Sequence, residues 1–209
     1  MNKQKINQLI AKGYDFDIEE AFRNGWELFK IKPLFSVGYT AFIISLELLF
    51  LIYFKEYAVL FSVFLAGPLF SGFYLVANKL KHGDPVIYPD FFQGFRYYIP
   101  IILIWLIGQI LVSIGILLLV IPGVYLLVGY CFAILLHIFA GLDFWESMEY
   151  SRRLVTVKWW KFFLFVLLLI LINLIGILFF VGVLVTIPFS FYVAYCAFEA
   201  VTEEVFADL

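Results

Sequence analysis

Four polar side chains stand inside otherwise apolar stretches of this chain and are the first places to look for chemistry: Glu47, Gln109, His137 and Asn173. Glu47 is the sole acidic or basic residue well inside such a stretch. A charge there costs roughly 2.5–3.5 kcal/mol on insertion scales, so an intramembrane carboxyl marks a functional site by default. Two roles compete for it. A protonated or hydrogen-bonded Glu47 can join helices, with Gln109, Ser113, His137 or Asn173 as partner; or these groups can line a polar pathway, with His137 and Glu47 relaying a proton. Interhelical polar bonds average only about 0.6 kcal/mol in one measured case, so such glue is weak per contact.

The second candidate is an island of charge, DFWESMEYSRRLVTVKWWKFF, at 143–163. No Asp, Glu, Lys or Arg occurs from Tyr97 to Leu142 before it or from Phe162 to Phe198 after it. Arg152 and Arg153 could hold anionic lipid headgroups, at about 1 kcal/mol per charge. Trp159, Trp160 and Lys161 have the composition of an interfacial belt, with the lysine free to snorkel. The plainer account of the arginines is topology plus intrahelical pairing with Glu149, three and four positions earlier.

Little else has the spacing that chemistry needs. Cys131 and Cys196 lie in apolar segments without a CxxC partner and read as small hydrophobes. His82 sits in the turn-like HGDP, and no set of residues has metal-ligand spacing, so no metal or other cofactor is expected. Glu19-Glu20-Ala21-Phe22-Arg23 with Phe132 and His137 partly resembles intramembrane CAAX-type protease signatures, but both spacings are off by one residue. No GxSxG, Walker loop or HExxH is present. A net charge of −2 gives no reason to expect nucleic acid. The expectation is a non-enzymatic protein.

The elements that must position these residues follow from composition. Of 209 residues 65% are hydrophobic and 14% charged, against roughly 25% charged in soluble domains. The mean hydropathy is +1.02. Apolar runs of about 20 residues predict transmembrane helices, and their continuous character argues against a barrel. Six spans fit, near 34–54, 57–78, 99–121, 122–142, 162–181 and 183–202. Ile121-Pro122-Gly123 turns the second hairpin, Gly182 the third. Thirteen of the fourteen Lys and Arg fall on the side of the termini, with Lys55 alone opposite. The positive-inside rule then predicts both termini in the cytoplasm. Residues 1–14 are polar, with no apolar leader, so the first span is expected to direct insertion.

An internal repeat organises the rest. Each odd-numbered span follows an aspartate, Glu or Gln at the third position after it, a small residue, then Phe or Met: Asp17-Ile-Glu-Glu20-Ala21-Phe22, Asp90-Phe-Phe-Gln93-Gly94-Phe95 and Asp143-Phe-Trp-Glu146-Ser147-Met148. This is capping-box logic and predicts three helices that begin at an aspartate N-cap. The even spans carry Pro68, Pro122 and Pro188 early. The expected fold is therefore an all-α, polytopic membrane bundle. Its single domain, 15–209, has repeat units at about 15–78, 88–142 and 143–202, each opening with a cytoplasmic amphipathic helix. The first is the clearest, with Ile18, Ala21, Phe22, Gly25 and Phe29 on one face, and should lie along the bilayer surface.

On Asp90-Phe-Phe-Gln-Gly-Phe, Ile121-Pro-Gly, Asp143 through Ser151-Arg152-Arg153, and Thr186-Ile-Pro188, the chain resembles a loose bacterial family of multi-span envelope proteins. That family includes YciC-like proteins and the membrane domain attached to some glycerophosphodiester phosphodiesterases. The resemblance implies a six-helix inner-membrane protein and brings no catalytic residue, because the phosphodiesterase barrel has no counterpart here. The functional expectation is a protein that binds lipid or scaffolds other membrane proteins; a small-solute transporter or channel using the four intramembrane polar residues is the alternative.

Overall fold

The computed structural model describes residues 2–179 and 181–206, and all regular structure among them is helical. Phe180, at the end of the expected fifth span, and residues 207–209 lie outside the described residues. Among the described residues six helical stretches are long and apolar enough to cross a membrane: Pro33–Tyr53, Lys55–Lys81, Tyr88–Leu118, Val120–Ala140, Trp159–Leu178 and Val183–Glu203. Twenty residues at 1.5 Å each give about 30 Å, the thickness of a hydrocarbon core.

The chain opens with α1 (Asn2–Lys12), which buries Ile6 and Leu9. Each buried aliphatic contributes about 1.5–3 kcal/mol, enough to hold a polar helix against the bundle. Next comes α2 (Ile18–Ile31), started by Asp17, whose carboxylate accepts from the Glu20 N–H at 3.2 Å. Pro33 then opens α3 (Pro33–Tyr53), where its missing N–H costs nothing.

The second span is irregular at its far end: a 3₁₀ turn at Lys55–Tyr57, α4 (Ala58–Leu60) and a π-helical stretch at Phe61–Ala66 precede α5 (Gly67–Lys81). A 3₁₀ helix, Tyr88–Tyr97, runs directly into α6 (Tyr98–Leu118). The fourth span is divided into α7 (Val120–Gly129) and α8 (Ala133–Ala140). The charged island forms α9 (Phe144–Val157), followed by α10 (Trp159–Leu178) and α11 (Val183–Phe206).

One correction concerns Asp90, expected as an N-cap. It is instead the third residue of the 3₁₀ helix, buried, and its carboxylate accepts from Ile87 N at 2.9 Å, Lys79 Nζ at 2.7 Å and Gln93 Nε2 at 2.6 Å. Pro89, with φ already fixed for a first turn, starts the helix ahead of the aspartate.

Three docking contacts organise the bundle, each between one of the motif-bearing helices and an even-numbered span. Along α11, α2 runs antiparallel: a Cβ on Gly25 would lie 2.8 Å from the Val193 backbone, and Phe22 and Trp26 meet Phe189 edge-on. The 3₁₀ helix docks on α5 as closely, since a Cβ on Gly94 would lie 2.1 Å from the Pro68 carbonyl oxygen. The third pair is α9 on the divided fourth span.

Around these contacts Tyr39, Phe73, Phe91, Phe132, Phe162 and Tyr192 are fully buried. Their polar ends are met inside the protein: the Tyr39 hydroxyl lies 3.0 Å from the carbonyls of both Leu69 and Phe91, and the Tyr192 hydroxyl lies 2.7 Å from Ser36 Oγ. The hairpin tips are the reverse, with Leu117, Ile121 and Leu178 each about four-fifths exposed. Large apolar side chains left uncovered in this way suit hydrocarbon rather than water.

Candidate functional site

The island at 143–163 is built from its cap upward. Gly141, at φ 67°, ends α8 in the left-handed conformation, and Asp143 then caps α9 by accepting from the Glu146 N–H at 2.8 Å. The inward face of α9 is Ser147, Met148, Ser151, Leu154 and Val155, all buried. Its contacts step along the fourth span in the opposite chain direction: Ser147 near Leu142, Ser151 at Gly129 and Phe132, Thr156 at Tyr125.

Ser151 repairs the break in that span. Between α7 and α8 the helical ladder is interrupted, and a buried backbone group left without a partner is costly. The Ser151 hydroxyl donates to the Gly129 carbonyl at 2.7 Å and accepts from the Phe132 N–H at 3.1 Å. One side chain thus serves an orphan on each side of the interruption.

The two arginines diverge from there. Arg152 turns inward along α7, donating Nε and Nη2 to Glu149 at 3.0 and 2.8 Å and Nη1 to the Tyr125 hydroxyl at 3.1 Å. Thr156 joins this group, 2.8 Å from the Tyr125 hydroxyl. Glu149 first, then Tyr125, stabilise the guanidinium and push its ionisation above the usual arginine range. Arg153, exposed on the outer face, lies over the Tyr150 ring at 5.4 Å and has no carboxylate partner among the described residues.

At the entry to α10, Trp160 is 76% exposed and meets Trp159 edge-on, while Trp159 is half-buried and stacks on Tyr125. Lys161 is bound at 2.7 Å to Asp15 and lies over Phe16. Of the five candidate headgroup contacts, Arg153 and Trp160 face outward; Arg152 and Lys161 are held by carboxylates of the protein itself. Lys158, exposed beside them, is a further outward cation that the sequence reading did not single out.

The four intramembrane polar residues lie on four different helices, and no hydrogen bond joins any two of them. Glu47 is exposed on α3 without a partner among the described residues, and Gln109 is exposed on α6. His137 Nδ1 is 2.7 Å from the Leu142 carbonyl, and its ring meets Tyr97 edge-on. Asn173 Nδ2 donates to the Leu169 carbonyl at 2.8 Å and to Ser190 Oγ at 2.6 Å. Among the described residues no three His, Cys, Asp or Glu side chains converge as metal ligands would.

Three hollows accompany these groups. One, of about 340 Å³, is lined by Tyr74, Trp105, Gly108, Gln109, Leu127 and Tyr130, beside the break in the fourth span. A second, of about 330 Å³, has Asn173 and Ser190 on its wall. The third, of about 310 Å³, is polar and lies between α2, α5 and α11, with Glu20, Asn24, Lys81 and Glu199 on its wall.

The sequence alone assigns no role to Tyr125, Ser151 or Tyr130. Ser151 had a usable signal: it stands eight residues after Asp143, as Gly25 stands eight after Asp17, and both are contact points on a neighbouring span. Tyr125 had none, because a tyrosine in an apolar run does not disclose which charged helix its hydroxyl will meet.

No protein-family profile, curated protein or solved structure matches the chain.

Proposed function

We propose that the chain is a non-enzymatic, multi-pass protein of the bacterial inner membrane that binds phospholipid headgroups along the basic, tryptophan-rich edge formed by α9 and α10. One observation carries this reading: among the described residues Arg153 and Lys158 are exposed cations with no carboxylate at ion-pair distance, Lys158 acting on Asp15 only at longer range, next to the exposed indole of Trp160, where a long apolar helix begins. Cation and indole side by side at a helix end are what a membrane interface selects. Each basic residue near an anionic surface contributes about 1 kcal/mol.

In this reading the three hairpins are copies of one unit inserted in one orientation, with both termini cytoplasmic. The docking of α2 on α11, of the 3₁₀ helix on α5 and of α9 on α7 and α8 supports the repeat. In every copy the small residue four positions after the motif aspartate, Ala21, Gly94 or Ser147, is buried. Close packing of a charged helix on a span explains why that position is small. The resemblance to YciC-like envelope proteins favours the same membrane.

The experiment is product analysis of purified protein incubated with phospholipid, beside C-terminal topology reporters in a bacterial host. Unchanged lipid and a reporter active only in the cytoplasm are expected. Hydrolysis or transfer of a phospholipid group that depends on Glu47 would overturn the non-enzymatic reading. A reporter active outside the cytoplasm would overturn the topology.

A further inference from the structure

The 340 Å³ hollow beside the break in the fourth span is more than a packing defect, because hydrogen-bonding groups without partners gather on its wall. The Trp105 Nε1–H is buried and unpaired. Among the described residues neither the hydroxyl of Tyr74, a residue only 8% exposed, nor the hydroxyl of Tyr130 nor the Gln109 carboxamide has a hydrogen-bond partner. Trp105 and Gln109 stand one helical turn apart on α6 and so share a face. Hydrocarbon offers such groups nothing, and an unmet donor in a low dielectric is costly. All four can donate. A group that supplies acceptors satisfies all four at once, and the Trp105 N–H can be met in no other way.

The rest of the wall is apolar, including Ile104, Leu127 and Ile134. A volume of about 340 Å³ equals roughly eleven times the ~30 Å³ that one water occupies in the liquid, room for a length of alkyl chain with an ester at its head. The polar end has a direction, since Gly129, next to Tyr130, packs on the Arg152 stem of α9, where a Cβ would lie 3.4 Å from Arg152 Cγ, and Arg153 follows on the exposed face. From the basic edge inward the order is thus cation, hydrogen-bond donors, then apolar wall. A glycerophospholipid presents the complement in the same order: phosphate, ester carbonyls, alkyl chain.

We infer that this hollow holds the ester group and the first part of one acyl chain of a phospholipid whose phosphate lies at Arg153, on the exposed face of α9. The inference rests on the lipid-binding reading above and adds to it a defined seat for the lipid body. Gly108 lines the seat, and a Cβ there would come no nearer than 4.0 Å to the Tyr130 ring, so a larger side chain can fill the space without moving the backbone.

The test uses the full chain reconstituted with a phospholipid that carries a photoreactive diazirine on its acyl chain. Cross-links are mapped by peptide mass spectrometry, and co-purifying lipid is counted after detergent washing. Cross-links concentrated at 104–112 and 127–134 are expected, with one phospholipid retained per chain. Gly108→Leu should reduce both at least fivefold while leaving cross-links to the exposed face of α10 unchanged, and Gln109→Leu should reduce retention without altering elution volume. Cross-links spread evenly over all lipid-facing helices, or retention unchanged in Gly108→Leu, would overturn the seat. Arg153→Gln separates the two claims: it should alter which headgroups are retained and leave the groove cross-links in place. If it alters nothing while Gly108→Leu empties the hollow, the headgroup reading fails and the seat stands.

Discussion

Replacing Ser151 by alanine removes one oxygen and leaves two backbone groups unpaired. The site is fully buried, and the lost bonds are the 2.7 Å donation to Gly129 and the 3.1 Å acceptance from Phe132. An ordinary interhelical polar contact in a membrane protein averages about 0.6 kcal/mol, because the separated helices find other partners. Ser151 is different in kind. It serves an interruption in a backbone ladder, and each buried group left unmet costs about 1–3 kcal/mol. Allowing for partial relaxation of the break, Ser151→Ala should cost about 2–3 kcal/mol. Ser147→Ala is the internal control: its hydroxyl lies a long 3.4 Å from the Leu142 carbonyl and should be worth under about 0.6 kcal/mol. The assay is equilibrium unfolding in mixed micelles, with a denaturing detergent titrated against a mild one and helicity followed by circular dichroism. If Ser151→Ala proves no more costly than Ser147→Ala, the α7–α8 break does not depend on α9.

Gly25→Ala should destabilise by about 1–3 kcal/mol in the same assay, because the added Cβ would approach the Val193 backbone to 2.8 Å, and backbone yields less readily than a rotamer. Asp90→Asn leaves Lys79 an uncharged carboxamide in place of its 2.7 Å carboxylate partner; Lys79 keeps 31% exposure, so the loss should be about 2–3 kcal/mol, below the full penalty for a buried pair. The Asp15 carboxyl is held below its ordinary value of 3.8, chiefly by Lys161, then by the Phe16 N–H. A depressed carboxylate stabilises above its unfolded pKa, and that contribution disappears as pH falls through the folded value. Unfolding midpoints measured downward from pH 5 should therefore fall less steeply in Asp15→Asn than in the parent.

The order and number of the spans were legible because continuous hydrophobicity over some twenty residues has one cheap solution in a bilayer, a helix. Two of the three caps, Asp17 and Asp143, were legible for an equally local reason: a short side chain reaching the N–H three residues on needs no tertiary context. Asp90 shows the limit. The same motif is displaced there, because the turn opens at Tyr88 with Pro89 as its second residue, three residues sooner than an Asp90 cap would start it. The rotation of each span about its axis was not legible, because an all-apolar helix carries no pattern to distinguish its faces. This is why Glu47, Gln109, His137 and Asn173 could be recognised as intramembrane polar groups but not assigned to partners. The inward turn of Arg152 and the outward turn of Arg153 were likewise beyond reach, since they depend on Tyr125 and Glu149 meeting across two helices. The two serines on α9 are both buried, Ser147 at the small position of the repeated motif and Ser151 eight residues after Asp143.

The most direct measurement is the headgroup preference of the purified chain, by native mass spectrometry from micelles holding equal amounts of an anionic and a zwitterionic phospholipid. At about 1 kcal/mol for each of Arg153 and Lys158, the double change Arg153→Gln with Lys158→Gln should reduce the preference for the anionic lipid by roughly thirtyfold. A parent protein that shows no preference, or a double variant that keeps the parent's preference in full, would contradict the assignment of the α9–α10 edge to lipid headgroups.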